Sequence, residues 1–383
     1  MTDAYSILDR LVAFPSVSRD GNIELIRYVQ GLLASAGIKA RLYPAASGDR
    51  ASLFATVGPE GPGGVVLSGH TDVVPVDGQA WSSDPFCMIE RDGRLYGRGT
   101  TDMKGFVACA IEAMLQVKSK PLQRPLHLAL SYDEEIGCIG VRPMLADLAK
   151  VGLEPDWVLI GEPTSMQVAS GHKGKLAARA SCCGVAAHSA LAPTGFNAIH
   201  LAADFLGELR SLQAELSGQG ARDNDYDIPY TTVHAGVIQG GTALNIVPER
   251  CDLDFEIRNI ASDDPKLFLD RLFEKADRLS NTARTRFATA GISIHVLNEY
   301  PGLATSSTDQ TMSRVLNLAG SNHCIKVAFG TEGGLFSSAL SVPAFVCGPG
   351  SMEQGHKADE FVETSQIEAC RSMLGHVGDS LSS

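Results

Sequence analysis

The sequence predicts a mixed α/β fold in which a large domain, built on a mixed sheet, is interrupted by a smaller ferredoxin-like α+β lobe. Three observations support this prediction. Helical patterns alternate with short apolar runs over residues 1–174, the order changes to strand-helix-strand-strand-helix-strand over residues 175–297, and the α/β character returns over residues 298–383. The lobe is therefore predicted to be an insertion in the large domain.

The elements of the large domain are predicted from their hydrophobic periods. Repeats at helical spacing predict helices at Ala4–Phe14, Ile23–Ala36, Phe106–Val117 and Val141–Ala149. Short apolar runs predict buried strands at Val65–Leu67, Leu126–Leu130, Val158–Ile160 and Ala344–Cys347. Side chains just past the carboxyl ends of such strands lie at the edge where open α/β sheets bind ligands.

The elements of the lobe each have one apolar face. In order, they are predicted at Lys175–Cys182, Asn197–Leu216, Thr231–Ile238, Cys251–Arg258, Pro265–Leu279 and Gly291–Leu297. In the fourth element, Leu253 and Phe255 alternate with Asp252 and Asp254. One apolar face per element predicts a lobe of two layers.

Composition narrows the class of protein. The 383 residues carry a formal net charge of -12 without any block of lysine and arginine, which argues against nucleic acid or an anionic membrane surface as a partner. The N-terminus lacks a basic region followed by an apolar stretch. The cysteines are scattered without C-x-x-C spacing, which fits reduced thiols. We therefore expect a cytoplasmic protein that acts on a small molecule.

Five short stretches each place a possible metal ligand beside an apolar or glycine-rich run. They are Gly69-His70-Thr71-Asp72, Gly99-Thr100-Thr101-Asp102, Asp133-Glu134-Glu135, Gly161-Glu162-Pro163 and Gly355-His356-Lys357. Most follow predicted strands, so they are expected at the ligand-binding edge of the sheet. Histidines and carboxylates together suit a divalent ion such as zinc, cobalt or manganese. The pattern predicts a hydrolase centre with two metal ions.

The first two stretches indicate different roles. His70 and Asp72 are two residues apart, so on an extended backbone they share a face, and one can bind a metal while the other orients it. Asp102 precedes a helix predicted from about Gly105, where an aspartate often caps the first turn. Within the whole pattern, its two carboxylate oxygens also suit a bridge between two cations.

The other three stretches contain residues with more than one interpretation. Glu134 and Glu135 point to opposite sides of the chain, so one is expected to bind a metal and the other to transfer protons, unless both lie in a solvated turn. Glu162 could be a solvated loop residue, since Pro163 keeps it extended, and His356 could be a surface histidine. Their positions in the pattern favour both as ligands.

Three further candidates lie in the lobe. Arg258 ends a strand on its polar face, where it could pair with Asp254 or Glu256, or bind a substrate carboxylate through two parallel hydrogen bonds. His188 and Asn245 cannot be direct metal ligands unless the lobe closes. Spacing alone does not decide between these roles.

Longer motifs around these residues carry a family resemblance. The chain resembles the aminoacylase, carboxypeptidase and desuccinylase family of two-metal amidohydrolases in Ser68-Gly-His-Thr-Asp-Val-Val-Pro75, Gly97-Arg-Gly-Thr-Thr-Asp-Met-Lys-Gly105, Tyr132-Asp-Glu-Glu135, Gly161-Glu-Pro-Thr164 and Gly355-His356. Within that family, it is similar to the acetylornithine deacetylase branch in Ala187-His-Ser-Ala-Leu-Ala-Pro193 and Gly240-Gly-Thr-Ala-Leu-Asn-Ile-Val-Pro248. The likeness runs from about residue 5 to the C-terminus.

The resemblance implies a role for each candidate. The implied ligands of two divalent ions, zinc or cobalt, are His70 and Glu162 for one ion, Glu135 and His356 for the other, and Asp102 for both. Asp72 would orient His70, and Glu134 would be the general base. The peptide bond after Asp102 would be cis.

For the lobe, the resemblance implies a lid that also forms a homodimer. His188 would reach a neighbouring active site and stabilise the oxyanion, while Asn245 and Arg258 would contact the substrate. The implied reaction removes the acetyl group from N2-acetyl-L-ornithine and gives L-ornithine and acetate, in arginine biosynthesis.

Other functions remain open from the sequence. The same chemistry could act on another N-acyl amino acid such as succinyl-diaminopimelate, or on a dipeptide or carboxypeptidase substrate. From a different class comes a non-catalytic protein that binds metal or amino acids. Glu134 argues against that class, because it is an acid that the metal ions do not need.

Overall fold

The chain folds into two units in the computed structural model, which describes residues 3–306 and 308–382. Unit 1 comprises Met1–Gly171, Leu303–Val327 and Thr331–Ser383, and unit 2 comprises His172–Gly302 and Ala328–Gly330. Unit 2 thus interrupts the sequence of unit 1. No helix among the described residues combines the length and the apolar character that a membrane crossing requires.

The helices and strands follow one another along the chain in three stretches. The first contains α1 (Ala4–Val12), α2 (Ile23–Ser35), β1 (Ala40–Pro44), β2 (Ala51–Val57), β3 (Val65–His70), β4 (Ile89–Arg91), β5 (Arg94–Tyr96), α3 (Lys104–Val117), β6 (Leu126–Ser131), α4 (Val141–Lys150), β7 (Trp157–Pro163) and β8 (Ala169–His172). The second contains β9 (Lys175–Cys183), a 3-10 helix (Ser189–Thr194), α5 (Ala198–Gln219), β10 (Thr232–Gly240), β11 (Arg250–Arg258), α6 (Pro265–Arg284) and β12 (Gly291–Tyr300). The third contains β13 (Leu303–Ala304), α7 (Gln310–Leu318), β14 (Ile325–Val327), α8 (Gly333–Leu340), β15 (Ala344–Gly348), β16 (Phe361–Glu363) and α9 (Thr364–Ser380).

The main sheet is mixed. Its strand order is β1-β2-β6-β3-β7-β15-β8-β13, and β14 pairs with β8. The central strands β6, β3, β7 and β15 run parallel, whereas β1, β2 and β8 pair antiparallel with their neighbours. A separate small sheet has the order β16-β5-β4. Because the central strands are parallel, their carboxyl ends lie along one edge of the sheet.

Strand β3 shows why the central runs are apolar throughout. Val65 and Leu67 are fully buried in the main core, which also contains the apolar face of α3. Ser68, on the opposite face, is also fully buried and donates a hydrogen bond to Glu332 just before α8. Packing on both faces removes the polar alternation that a half-exposed strand would show.

Unit 2 contains an antiparallel sheet with the order β10-β11-β9-β12. The predicted alternation is present in β11, where Leu253 and Phe255 are buried and Asp252 and Asp254 are partly exposed. Helices α5 and α6 supply the other apolar layer of this core. Asn197 accepts the first-turn amides of α5, which fixes where that helix begins.

Two details differ from the prediction. Glu162 was expected in a loop, but β7 continues through Pro163, so Glu162 is part of a buried strand. Strand β2, which was not predicted, is largely buried between β1 and β6. Its Ala, Ser and Thr residues weaken the hydrophobic signal on which the prediction depended.

Candidate metal centre

Two groups of possible metal ligands share one carboxylate. One ligand atom from each of His70, Asp102 and Glu162 lies within 4.8 Å of the others, and the same holds for Asp102, Glu135 and His356. His70 Nε2 is 3.0 Å from Asp102 Oδ1, and His356 Nε2 is 3.1 Å from Asp102 Oδ2. The two oxygens of Asp102 therefore face different groups, as a bridging carboxylate requires.

The sheet brings most of these side chains to one edge. His70 is the last residue of β3, and Glu162 lies near the carboxyl end of the neighbouring parallel strand β7. Glu135 follows the end of β6, which pairs with β3 on the other side. Three adjacent strands thus each supply a ligand at the same edge, where the ladder fixes the backbone.

Asp102 is held by a loop. Helix α3 begins at Lys104, its N-cap is Met103, and no side chain caps its first turn, so Asp102 does not have the capping role. The peptide bond between Asp102 and Met103 is cis, as the resemblance implies. Lys104 is buried and donates to the carbonyl oxygens of Leu11 and Phe14 at 3.0 and 2.8 Å, which ties the start of α3 to the end of α1.

Asp72 connects His70 with the adjacent glutamates. The carbonyl oxygen of Asp72 lies 2.9 Å from His70 Nδ1, closer than its carboxylate Oδ1 at 3.6 Å. A protonated Nδ1 would leave Nε2 as the ligand atom, which points towards Asp102. The carboxylate accepts the backbone N–H of Glu134 at 3.1 Å and the hydroxyl of Ser18 at 2.7 Å. Asp72 therefore orients His70 mainly through its backbone and holds Glu134 through its side chain.

Glu134 is partly buried in a turn that is fixed on several sides. Its Oε1 accepts a hydrogen bond from the thiol of Cys138 at 3.2 Å. The preceding Asp133 adopts a positive φ of 55° and pairs with Arg50 at 2.7 Å. Burial raises the pKa of Glu134 above its ordinary value, and the nearby Glu135 raises it further. A carboxylate with a raised pKa is a stronger base.

The electrostatics of the ligand set fit divalent cations. Burial raises the pKa of Glu162 well above its ordinary value, and the charge on Asp102 adds to the effect. Hydrogen bonds with Asp102 and Glu135 raise the pKa of His356 to about 10. Acids crowded at one point hold protons or cations because their mutual repulsion is otherwise uncompensated. Carboxylates with imidazoles are the oxygen and nitrogen donors that zinc and cobalt accept.

The remaining sequence candidates lie in unit 2. His188 is exposed, and its Nδ1 accepts the backbone N–H of Ala190 at 3.1 Å. Asn245 is its neighbour through the backbone, since Ser189 N–H donates to the carbonyl oxygen of Asn245 at 2.9 Å. Arg258 donates hydrogen bonds to Glu256 at 3.1 Å and to the hydroxyl of Tyr300 at 3.0 Å. The contact with Glu256 is one of the two ion pairs considered from the sequence.

Sequence reasoning missed several residues around the centre. Ser18 contacts Asp72, Cys138 contacts Glu134, and the buried Glu360 contacts the backbone of Asp102. Glu360 stands four residues after His356, but a single acid in a loop gives no periodic signal. The contacts of Ser18 and Glu360 join residues far apart in sequence, so only the fold brings them together, whereas Cys138 lies four residues after Glu134.

One family model and several curated proteins match most of the chain. The family model described as peptidase family M20/M25/M40 matches residues 66–378. An acetylornithine deacetylase from Pasteurella multocida (strain Pm70) is 35% identical over 374 residues, which cover 95% of this chain and 94% of that protein. An acetylornithine deacetylase from Proteus mirabilis (strain HI4320) is 35% identical over 378 residues, 96% of this chain and 94% of that protein.

Solved structures share the fold at lower identity. An M20 family metallo-carboxypeptidase from Sulfolobus solfataricus has a TM-score of 0.80 and 18% identity, with 99% of each chain covered. A tripeptidase from Staphylococcus aureus has a TM-score of 0.77 and 19% identity, covering 99% of this chain and 98% of that chain. At such identities, the likeness establishes the fold alone.

Proposed function

We propose, because the chain belongs to peptidase family M20/M25/M40, that it removes the acetyl group from N2-acetyl-L-ornithine to give L-ornithine and acetate. The support for this substrate is the 35% identity, across nearly the whole chain, to proteins named acetylornithine deacetylase. The support for the hydrolytic chemistry is the shared position of Asp102 in two ligand groups. We expect the reaction to serve arginine biosynthesis in the cytoplasm.

The ligand set divides between two cations. His70 and Glu162 would hold one, Glu135 and His356 would hold the other, and Asp102 would contribute an oxygen to each. When bound, two divalent ions, zinc or cobalt, would supply Lewis-acid polarisation of water and of the acyl carbonyl. The protein's contribution is to fix the donors and to move the protons.

Glu134 is the proposed general base and acid. It would accept a proton from the attacking water as the carbon–oxygen bond forms at the acyl carbon. It would then deliver that proton to the amine nitrogen as the carbon–nitrogen bond breaks, so that the acid and the amine leave together. The backbone bond to Asp72 and the thiol contact with Cys138 hold this glutamate in one orientation.

Residues of unit 2 are proposed to complete the site. Because Nδ1 of His188 accepts the Ala190 N–H, a neutral imidazole carries its proton on Nε2, which would donate to the oxyanion. We propose that it does so in the active site of a second subunit, in a homodimer formed through this unit. Arg258 and Asn245 would bind the substrate. The Arg258 guanidinium would donate two parallel hydrogen bonds to the substrate carboxylate.

The first test is amine release from N2-acetyl-L-ornithine by metal-stripped protein, with and without added zinc or cobalt. Turnover that depends on the metal supports both the class and the substrate. A panel of succinyl-diaminopimelate, other N-acyl amino acids and dipeptides ranks the alternatives by kcat/KM. A higher kcat/KM for any of these would replace acetylornithine as the proposed substrate without changing the chemistry.

A further inference from the structure

One buried carboxylate holds the loop that carries the shared ligand Asp102. Glu360 is 1% exposed and lies just before β16. Its Oε1 accepts the backbone N–H groups of Thr101 at 2.9 Å and Asp102 at 3.0 Å. Its Oε2 accepts the N–H of Gly99 at 3.0 Å and the Arg98 guanidinium at 2.7 Å. Both oxygens are thus engaged by the 98–102 loop.

The same contacts fix the loop of a second ligand. Glu360 follows His356 by four residues, and its own carbonyl oxygen accepts the N–H of Gly97 at 2.9 Å. Arg98 also donates to the carbonyl oxygen of Lys357 at 3.2 Å. The chain segments that carry Asp102 and His356 are therefore joined through Glu360 and its arginine, in the region where His356 Nε2 meets Asp102 Oδ2 at 3.1 Å.

We propose that Glu360 is a positioning residue that aligns Asp102 with His356. The affinity for the second metal ion, the one that Glu135 and His356 would hold, then depends on the carboxylate of Glu360. The inference rests on the proposed two-metal centre. Two of its hydrogen bonds end on Thr101 and Asp102, so they fix the direction in which the Asp102 side chain leaves the backbone. Hydrogen bonds to a charged acceptor are about twice as strong as neutral ones, which makes a carboxylate suited to this task.

Glu360→Gln keeps the shape of the side chain but replaces one of its two acceptor oxygens with a donor. Its NH2 group would face N–H donors on one side, because all four contacts of Glu360 are made to donors. The loop must then move or leave donors unsatisfied. Replacing partners that orient metal ligands typically weakens metal affinity about 10- to 100-fold.

Unit 1 offers a matched control in Glu112. This buried glutamate of α3 also makes two hydrogen bonds to an arginine, Arg371, at 2.7 and 2.8 Å. These hydrogen bonds reach neither ligand loop. Glu112→Gln therefore removes the charge of a second buried glutamate, although its arginine is 28% exposed, and should reduce the melting temperature of the metal-free protein without changing metal affinity.

The experiment titrates metal-depleted wild type, Glu360→Gln and Glu112→Gln with zinc against a chromophoric chelator, and records the thermal unfolding of each metal-free protein. We expect Glu360→Gln to bind the second equivalent about 10- to 100-fold more weakly than wild type, and Glu112→Gln to match wild type. Excess zinc should restore part of the activity of Glu360→Gln. If this variant does not fold, Glu360→Asp, which keeps the charge but shortens the reach, should show the same selective loss.

The outcomes separate this inference from the proposed function. A wild-type protein that takes up fewer than two zinc ions refutes the two-metal centre itself. A wild type that takes up two, with a folded Glu360 variant that binds both as tightly, overturns the positioning role alone. An equal loss of affinity in Glu112→Gln would show that removing the charge of any buried glutamate has this effect and would also overturn it.

Discussion

Glu332 is a buried acid whose ionisation should measurably change the stability of the metal-free protein. It is 1% exposed, lies just before α8, and accepts a hydrogen bond from Ser68 at 3.3 Å. Burial raises its pKa from 4.5 to about 7. Glu332→Gln removes the ionisation while it keeps the shape of the side chain.

The size of the effect follows from the two pKa values. In the unfolded chain the carboxyl ionises near 4.5, and in the folded protein near 7. The folded state therefore binds the proton more tightly, and the stability that this provides is complete below pH 4.5 and lost as the pH rises through 7. Each tenfold difference in proton affinity is worth about 1.4 kcal/mol, so the loss between pH 5 and pH 8 amounts to roughly 2 to 3 kcal/mol.

The assay compares the unfolding free energies of wild type and Glu332→Gln at pH 5 and pH 8, with a chelator present. The difference between the two proteins isolates Glu332 from other titrating groups, such as the buried His127 and His172, whose pKa values burial lowers to about 4. From pH 5 to pH 8, we expect the unfolding free energy of Glu332→Gln to increase by roughly 2 to 3 kcal/mol relative to that of wild type. A difference that stays constant with pH would refute the reasoning.

Three further predictions concern the centre itself. Glu134→Ala should retain its metal content but lose about 10²- to 10⁴-fold in kcat, because it lacks the proton carrier; unchanged turnover in a metal-loaded variant would reject this role. Ser18→Ala removes the 2.7 Å hydrogen bond to the Asp72 carboxylate and should weaken zinc binding. The control Ser16→Ala removes a hydrogen bond to the Thr71 carbonyl oxygen and should leave zinc binding unchanged. Equal zinc affinities of the two variants in the chelator titration would contradict this prediction. Zinc binding should release protons and become tighter from pH 6 to pH 8, because neighbouring carboxylates raise the pKa values of His70 and His356 and protons therefore compete with the metal. Calorimetry in two buffers of different ionisation enthalpy measures this proton release. Proton uptake on zinc binding would argue against the prediction.

Much of the fold was predictable because its signals are local. Each central strand of the main sheet is a short apolar run, and the alternating β11 and its neighbours give one apolar face each. The mixed α/β fold class, the family and the hydrolase class are confirmed by the family match and the relatives. Whether each candidate binds metal or substrate stays a prediction.

The ligand positions were partly predictable for the same reason. His70 and Glu135 could be found because they stand at or just past strand ends, where the chain leaves the core. Asp102 was ambiguous, since an aspartate before a helix is usually a cap. Only the arrangement of the fold shows its oxygens directed at His70 and His356, with the helix starting two residues later.

The residues that escaped prediction share a physical feature. Ser18, Glu332 and Glu360 are buried polar groups whose partners lie more than 50 positions away in the sequence. Burying a carboxylate costs free energy that hydrogen bonds must offset, and four donors converge on Glu360. Hydrophobic periodicity records which residues avoid water, and it says nothing about which donors meet a given acid. The ends of β3, β6 and β7 therefore determine where His70, Glu135 and Glu162 lie, while Glu360, a buried acid placed by tertiary structure, determines how accurately the loops of Asp102 and His356 are aligned.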